Sequence, residues 1–416
     1  VAELAALFPR PIVAQAARWE VPGFEAEWKR DASHVIGRDA ECATVLAALA
    51  AAPTGAVWVG GPAGIGKSYL IAKVVAELGE RGAAAAPVLA YRCRAGDARC
   101  HRDRFVEFCV ERLRAAVIAA GGDAAKVKGA AARQLGDLAV MLPGLIVIVD
   151  GVDELAASDP GFVAEVLLPL TSRARLLAAG RPQSGLPDGL TGCARPFPDG
   201  LPGLSAAEVR AMLVEKIGPL KKRLLAADRD RSDGDDAAVN PFIDLVIARA
   251  GGLPIYVSYV VGDVLAGKLR RFDEAVTLPP SLEAYHAEVL ARCAVGSLGQ
   301  VLTPLVATLA LAREPLSRAA LHGLLARRTL VPGDGDGLLW IGKALAVAAG
   351  LVRRVADGGA ATGVRGAAAA ALSGTTDSET FTLFHASLRD HLLQSSANSL
   401  AIATARRALA SAAAAP

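Results

Sequence analysis

Two stretches of this chain carry residue types at spacings that phosphate chemistry needs. Gly60-Gly61-Pro62-Ala63-Gly64-Ile65-Gly66-Lys67-Ser68 satisfies the pattern G-x-x-x-x-G-K-[ST] from Gly61 to Ser68. Glycines let the backbone bend until successive N–H groups converge on phosphate oxygens, and a helix leaving the loop adds the positive end of its dipole. Lys67 is suited to neutralising β- and γ-phosphates, and the Ser68 hydroxyl to holding Mg²⁺, whose octahedron is completed by waters and a carboxylate. Gly61, Gly64, Ile65, Gly66 and Tyr69 complete the expected phosphate cradle.

The second stretch is Leu145-Ile146-Val147-Ile148-Val149-Asp150-Gly151-Val152-Asp153-Glu154. A carboxylate ending a buried strand beside a phosphate loop can hold Mg²⁺ through its waters, so Ser68 and Asp150 form the expected metal pair. Hydrolysis also needs a group that orients water, and Asp153 and Glu154 both follow on the same edge; the residues alone do not choose between them. Arg181, ending the next apolar run, is placed to touch a γ-phosphate and report ATP against ADP. The arginine of Thr171-Ser172-Arg173 precedes that run and falls at the wrong end of it.

The positioning elements alternate. Apolar runs at 57–59, 87–93, 145–149 and 175–179, with a last short one at 194–197, read as strands. Leu70, Ile71, Val74, Val75 and Leu78 recur at helical spacing after the loop, and Phe105, Phe108, Cys109, Leu113 and Ile118 predict a core-facing helix over 105–118. Ser158-Asp159-Pro160 is expected to start another helix, with proline tolerated in its first turn. Strands alternating with helices predict a parallel sheet covered on both faces, an α/β P-loop domain over 31–201. Ahead of the loop, the turn at Val35-Ile36-Gly37-Arg38 is placed to fold against a nucleotide base.

Beyond Pro202 strand signals stop. Ser205 and Glu208 form a capping box, 228–236 is an acidic loop, and Asn240-Pro241 is expected to open a helix that stops at Gly251-Gly252. Ile255, Tyr256, Tyr259, Val260 and Val264 make one face of the next helix, and Pro279-Pro280 breaks the chain. Helices then run from Ser281 through Leu330 and over 341–349. Strands at 351–355 and 381–384 flank a Gly/Ala/Ser/Thr-rich stretch, the layout of a winged helix with its wing, and a final helix covers 387–393. The expected division is a lead-in segment at 1–30, the P-loop domain at 31–201, a helical domain at 202–280, a winged-helix domain at 281–395, and an alanine-rich tail or linker at 396–416. A chain that starts at Val1 and ends in an Ala/Pro tail reads as a fragment of something longer.

The 416 residues are 53% hydrophobic, enough for two or three cores, and 45 basic against 42 acidic residues leave a net charge of +3. That balance advertises neither a nucleic-acid nor an anionic-membrane surface, so neither is expected as a partner. No run of 18 apolar residues free of charge or proline occurs, and six cysteines without a C-x-x-C pair read as reduced thiols of a cytoplasmic protein. No Ser/His/Asp or Cys/His protease arrangement is evident.

Taken in order, the motifs resemble those of the STAND signal-transduction ATPases, specifically the bacterial NACHT type. The matching residues are Val35-Ile36-Gly37-Arg38, Asp150-Gly151-Val152-Asp153-Glu154, Arg181-Pro182, Gly251-Gly252-Leu253-Pro254, and Leu383-Phe384-His385-Ala386-Ser387-Leu388-Arg389-Asp390-His391-Leu392, with Tyr91-Arg92-Cys93 and Phe105 also similar. The resemblance covers about 35–395. It implies a nucleotide domain, a helical domain and a winged helix closing over ADP, with Arg38 near base and ribose, Pro254 on the adenine and His385 reaching the phosphates. Ala178-Ala179-Gly180 replaces the family's Thr-Ser before the arginine, so a hydroxyl sensor of the γ-phosphate is absent.

The expectation that follows is an ATP/ADP switch of signal transduction or bacterial immunity, with Mg²⁺, slow hydrolysis, self-assembly in the ATP state, and an effector and a sensor outside this stretch. The alternative is a DNA-binding winged-helix ATPase of the origin-recognition or transcription-regulator type, served by Arg318, Arg327 and Arg328.

Overall fold

The computed structural model describes residues 24–80, 87–93, 98–183, 185–217, 236–265, 267–269, 272–293, 298–312, 314–333, 335–348, 351–355 and 379–413. These fall into two compact units, residues 24–202 and residues 203–413. The expected acidic loop at 228–236 except its last residue, Asp236, the stretch 356–378 expected to hold the wing, and most of the lead-in segment lie outside the described residues.

The first unit is built on four parallel strands, β1 (Gly55–Gly60), β2 (Val88–Arg92), β3 (Ile146–Asp150) and β4 (Arg175–Gly180), in the order β1-β4-β3-β2. Their near-continuous apolar runs belong to strands buried on both faces, and all five residues of β3 are buried. Register places Gly60 beside Gly180, Asp150 beside Ala179, and Arg92 beside Asp150. All strands run the same way, so these C-terminal residues share one edge, where open α/β sheets bind ligands. The expected strand at 194–197 is reduced to a single bridge, Val57 to Ala194.

Helices α1 (Phe24–Ala32), α2 (Asp39–Ala50), α3 (Lys67–Glu80), α4 (Arg102–Ala119), α5 (Ala131–Val140), α6 (Val152–Ser158) and the short α7 (Leu168–Thr171) accompany this sheet. Three sequence expectations need correction. In α4 the buried stripe is Phe105, Cys109, Leu113 and Val117, a strict four-residue step, which turns Ile118 to solvent. Ser158 itself ends α6, because Gly151 takes φ 83° and turns the chain from β3 directly into that helix; the expected helix does follow Asp159-Pro160, but starts later, as a π-helical turn over Val163–Leu167 that runs on into α7. A Cβ at Gly151 would lie 2.7 Å from the Cys93 carbonyl oxygen, so the tight exit requires glycine. Part of the lead-in segment is structural: α1 packs on α3 and buries Trp28.

The second unit begins with α8 (Ala206–Ile217), whose capping box is formed: the Ser205 N–H donates to Glu208 Oε2 (2.8 Å) and the Glu208 N–H to Ser205 Oγ (3.3 Å). Helix α9 (Asp236–Ala250) starts a turn earlier than Asn240-Pro241 suggested, leaving Pro241 inside it. It stops at Gly251 and Gly252, both at positive φ. The Gly252 carbonyl accepts from the Leu204 N–H, and a Cβ on Gly252 would lie 2.9 Å from the Leu204 carbonyl oxygen, so this glycine is needed for close backbone approach.

Helices α10 (Pro254–Leu265), α11 (Leu282–Cys293) and α12 (Gly299–Leu311) follow. Next come β5 (Leu316–Ser317), α13 (Arg318–Ala326), α14 (Gly335–Val347), β6 (Val352–Val355) and β7 (Thr380–Leu383). The strands form an antiparallel sheet in the order β5-β7-β6, one strand more than sequence pattern showed, and complete the arrangement of a winged helix. After α15 (Ala386–Gln394) the chain forms α16 (Ser399–Ala413). The reading of 396–416 as a tail or linker is thereby corrected: α16 packs on α12 through Ile402, Ala405, Ala408 and Leu409, an apolar stripe that alanine richness disguises. Among the described residues no helix is long and apolar enough to cross a membrane.

Candidate functional site

The phosphate loop lies between β1 and α3. Gly61, Gly64 and Gly66 all adopt positive φ (153°, 84° and 98°), the backbone that turns consecutive N–H groups inward. Lys67 donates through Nζ to the carbonyls of Gly61 (2.6 Å) and Pro62 (2.9 Å), so its ammonium is held at the mouth of the loop. Ser68 lies in the first turn of α3, and its hydroxyl donates to Asp150 Oδ1 at 3.1 Å, joining two residues remote in sequence. A hydroxyl and a carboxylate are hard oxygen donors that fit Mg²⁺, which takes one or two protein ligands and keeps its waters. Tyr69, the next residue, is 46% exposed.

Asp150 is 3% exposed. Its second oxygen accepts from Arg92 Nε at 3.0 Å, and Arg92 is itself wholly buried at the end of β2. The same guanidinium donates from Nη2 to the Ser68 carbonyl (3.0 Å) and from Nη1 to Asp31 Oδ2 (2.5 Å) on α1, and lies 3.8 Å from the Trp28 ring centroid. Sequence reasoning gave Arg92 no role. The available signal was an arginine closing an otherwise apolar strand beside one that closes in aspartate.

Asp153 and Glu154 occupy the first turn of α6, where the helix dipole favours acids. Both are claimed by Arg181: Nε donates to Asp153 Oδ2 at 2.5 Å, and Nη2 to Glu154 Oε1. Asp153 is 4% exposed, and its carbonyl also accepts from Gln183 Nε2. The glycine that ends the run Ala178-Ala179-Gly180 has a steric reason here. A Cβ at Gly180 would meet Asp153 Oδ1 at 2.7 Å and the Trp58 ring at 3.1 Å.

Arg38, expected near a base and ribose, is 3% exposed, sits at φ 65° before α2, and donates to Glu41 Oε1 (2.7 Å) and the Ile65 carbonyl (3.0 Å). It thus braces the phosphate loop from behind. Ile36 is half-buried in the same turn. The first unit therefore brings Ser68 and Asp150 together, with Lys67 held on the loop carbonyls, and separately joins Asp153, Glu154 and Arg181.

Pro254 and His385 belong to the second unit. Pro254 is the first residue of α10, after the Gly252 turn. His385 caps α15: its Nδ1 accepts from the Ser387 N–H at 3.0 Å, so in the neutral ring the proton is on Nε2. Ser387 Oγ lies 2.8 Å from that Nδ1 and 3.3 Å from His286 Nε2. Burial, then the nearby His391, push His286 down to about 4; burial lowers His391 as well.

Cys93, Cys100 and Cys109 are buried, and burial pushes the Cys93 and Cys109 thiols well up, the opposite of a nucleophile. No group of three or more His, Cys, Asp or Glu among the described residues could hold a metal ion.

Comparison with known proteins agrees with the first unit's architecture. The family model "AAA ATPase domain" matches residues 34–183. No curated protein matches the chain. Among solved structures, the Aeropyrum pernix ORC1 protein, determined in complex with DNA, is similar at 13% identity over 95% of this chain and 94% of its own, with TM-score 0.37. A Walker-type ATPase of Pyrococcus abyssi is similar at 13% identity over 86% and 95%, with TM-score 0.38. Domain III of the Thermotoga maritima replication initiation protein DnaA is similar at 10% identity over 59% and 93%, with TM-score 0.34. At these scores the neighbours carry no argument about what this chain does. Residues 34–183 are an AAA-type P-loop ATPase domain.

Proposed function

We propose that the chain is a nucleotide-dependent switch that binds ATP and ADP with Mg²⁺ and hydrolyses ATP slowly. The carrying observation is the Arg181 fork on Asp153 and Glu154. The arginine suited to a γ-phosphate and the acids suited to orienting water neutralise one another, so hydrolysis requires this fork to part. That favours infrequent turnover gated by conformation over continuous turnover.

In this reading Gly61, Gly64, Ile65 and Gly66 bind phosphates through the backbone, Lys67 leaves its loop carbonyls for a phosphate, and Ser68 with Asp150 would hold Mg²⁺. The ion, when bound, supplies charge neutralisation between phosphate oxygens. Roles for Tyr69 in the phosphate cradle, for Ile36 and Arg38 toward the nucleoside, for Pro254 toward the adenine and for His385 in retaining ADP belong to the same proposal, those of Arg38, Pro254 and His385 resting on the motif resemblance. So do self-assembly in the ATP state and activation of an effector under a sensor's control. The test is to denature the purified protein and identify the released nucleotide, then repeat with His385→Ala. The reading expects ADP from the parent and less from the variant, with a larger assembled fraction; equal ADP content and an unchanged monomer would overturn it.

A second reading, in which the second unit binds DNA, is favoured by its winged-helix arrangement. Two features weigh against it. Arg327 and Arg328 are tied to Ser411 of α16, and α14 exposes Leu339, Lys343 and Val347 along one face, a single cation among apolar groups. Duplex binding that weakens steeply with added salt would establish this reading over the first.

A further inference from the structure

Resting on the Mg²⁺–nucleotide reading, we propose that Arg92 is a positioning residue for the metal pair, and that Asp31 on α1 sets the electrical balance of the site through it. One planar guanidinium makes three directed contacts: Nε to the Asp150 carboxylate, Nη2 to the Ser68 carbonyl, and Nη1 to Asp31. Two of these hold the two residues suited to Mg²⁺, on different elements, at a fixed separation. A lysine would bring the charge without the fork, so arginine is required by geometry. Trp28, stacked on the guanidinium, blocks its alternative orientations.

The charge argument brings in α1. A full positive charge 3.0 Å from Asp150, buried on both sides, opposes a divalent cation at the same carboxylate. Asp31 cancels that charge from the far side. Asp31, Arg92 and Asp150 together then carry one net negative charge, and Asp150 keeps its attraction for Mg²⁺. The other neighbours do not change the sign. Glu27 stands 4.0 Å from Arg92 but is paired with Arg99 (3.1 Å), and Arg30 reaches the second oxygen of Asp31 from a side chain that is 41% exposed, where solvent weakens it. Helix α1 is thus a structural part of the metal site, and whatever moves α1 changes Mg²⁺ affinity.

The experiment follows binding of a fluorescent ATP analogue at graded Mg²⁺ and in chelator, with steady-state turnover beside it. Asp31→Asn keeps an acceptor for Arg92 but removes the charge. It is expected to raise the half-saturating Mg²⁺ concentration about tenfold while leaving chelator-phase affinity within about twofold. Arg92→Lys is expected to lower kcat about tenfold with KM for ATP within about twofold. Asp31→Asn carries the test even if Arg92→Lys does not fold. An unchanged Mg²⁺ requirement in folded Asp31→Asn overturns the proposal. A parent protein whose nucleotide binding ignores Mg²⁺ would instead overturn the underlying reading of the site.

Discussion

At the edge of the parallel sheet, Asp150, Asp153 and Glu154 are each met by an arginine, Arg92 or Arg181; in the second unit, the Ser387 hydroxyl lies between His385 and His286, and the His286 ring lies 5.4 Å from that of His391. Both clusters are polar groups withdrawn from water. The first keeps its charges by pairing them; in the second, burial favours the neutral form of His286 and His391. A paired cluster responds to another ion that competes for its partners, as phosphate or Mg²⁺ would. A neutral one responds to protons. The first cluster is therefore sensitive to anions and cations that compete for its partners, and the second to acid.

Four measurements break or sharpen this contrast. The largest effect is expected from Lys67→Ala, which removes the ammonium held at the Gly61 and Pro62 carbonyls: nucleotide affinity should fall by more than about a hundredfold in calorimetry. Undiminished affinity would remove the phosphate-loop assignment.

Acid comes next. His286 is lowered to about 4 from an ordinary 6.5, so between those values the unfolded chain binds the proton and the folded one does not. The stability from keeping it neutral is fully present above about pH 6.5 and declines toward pH 4, by about 3 kcal/mol at most, from this group. The groups facing it are Tyr259 on α10, Ser387 and His391 on α15, and Glu283 on its own helix, whose charge works the other way. Urea midpoints of the parent should fall more steeply over this range than those of His286→Gln; parallel slopes would refute the neutral-cluster account.

Arg181→Ala leaves Asp153 and Glu154 facing each other, and should cost about 2 kcal/mol, less than a fully buried pair because the arginine is 23% exposed. Adding Asp153→Asn should recover part of that loss in the double-variant cycle, and simple additivity would show that the fork is not a coupled unit. The smallest effect is expected from Gly180→Ala, whose new methyl presses on Asp153: about 1 kcal/mol in chemical denaturation, absent if the fork has room to shift.

Much of the first unit was legible because its signals are local. Loop glycines, buried strands and acids at a strand's end each announce themselves within a few residues, and the Ser68 hydroxyl does meet Asp150. Arg38 was legible as a motif residue but not in what it touches, since the Ile65 carbonyl is brought to it only by folding. The strand expected at 194–197 has the composition of one but only a single bridge to hold it. Helix α16 was hidden by alanine, which gives little hydrophobic contrast until α12 supplies the partner surface.

By itself, then, the sequence determined the parallel sheet, the phosphate loop and the carboxylate that faces it, because hydrophobic period and backbone freedom are properties of short segments. Only the tertiary structure decided which charges meet. Arg92 finding Asp31, Ser68 and Asp150, and Arg181 closing on Asp153 and Glu154, depend on strand order and register, and pairing between buried charges is a matter of distances that no segment contains alone.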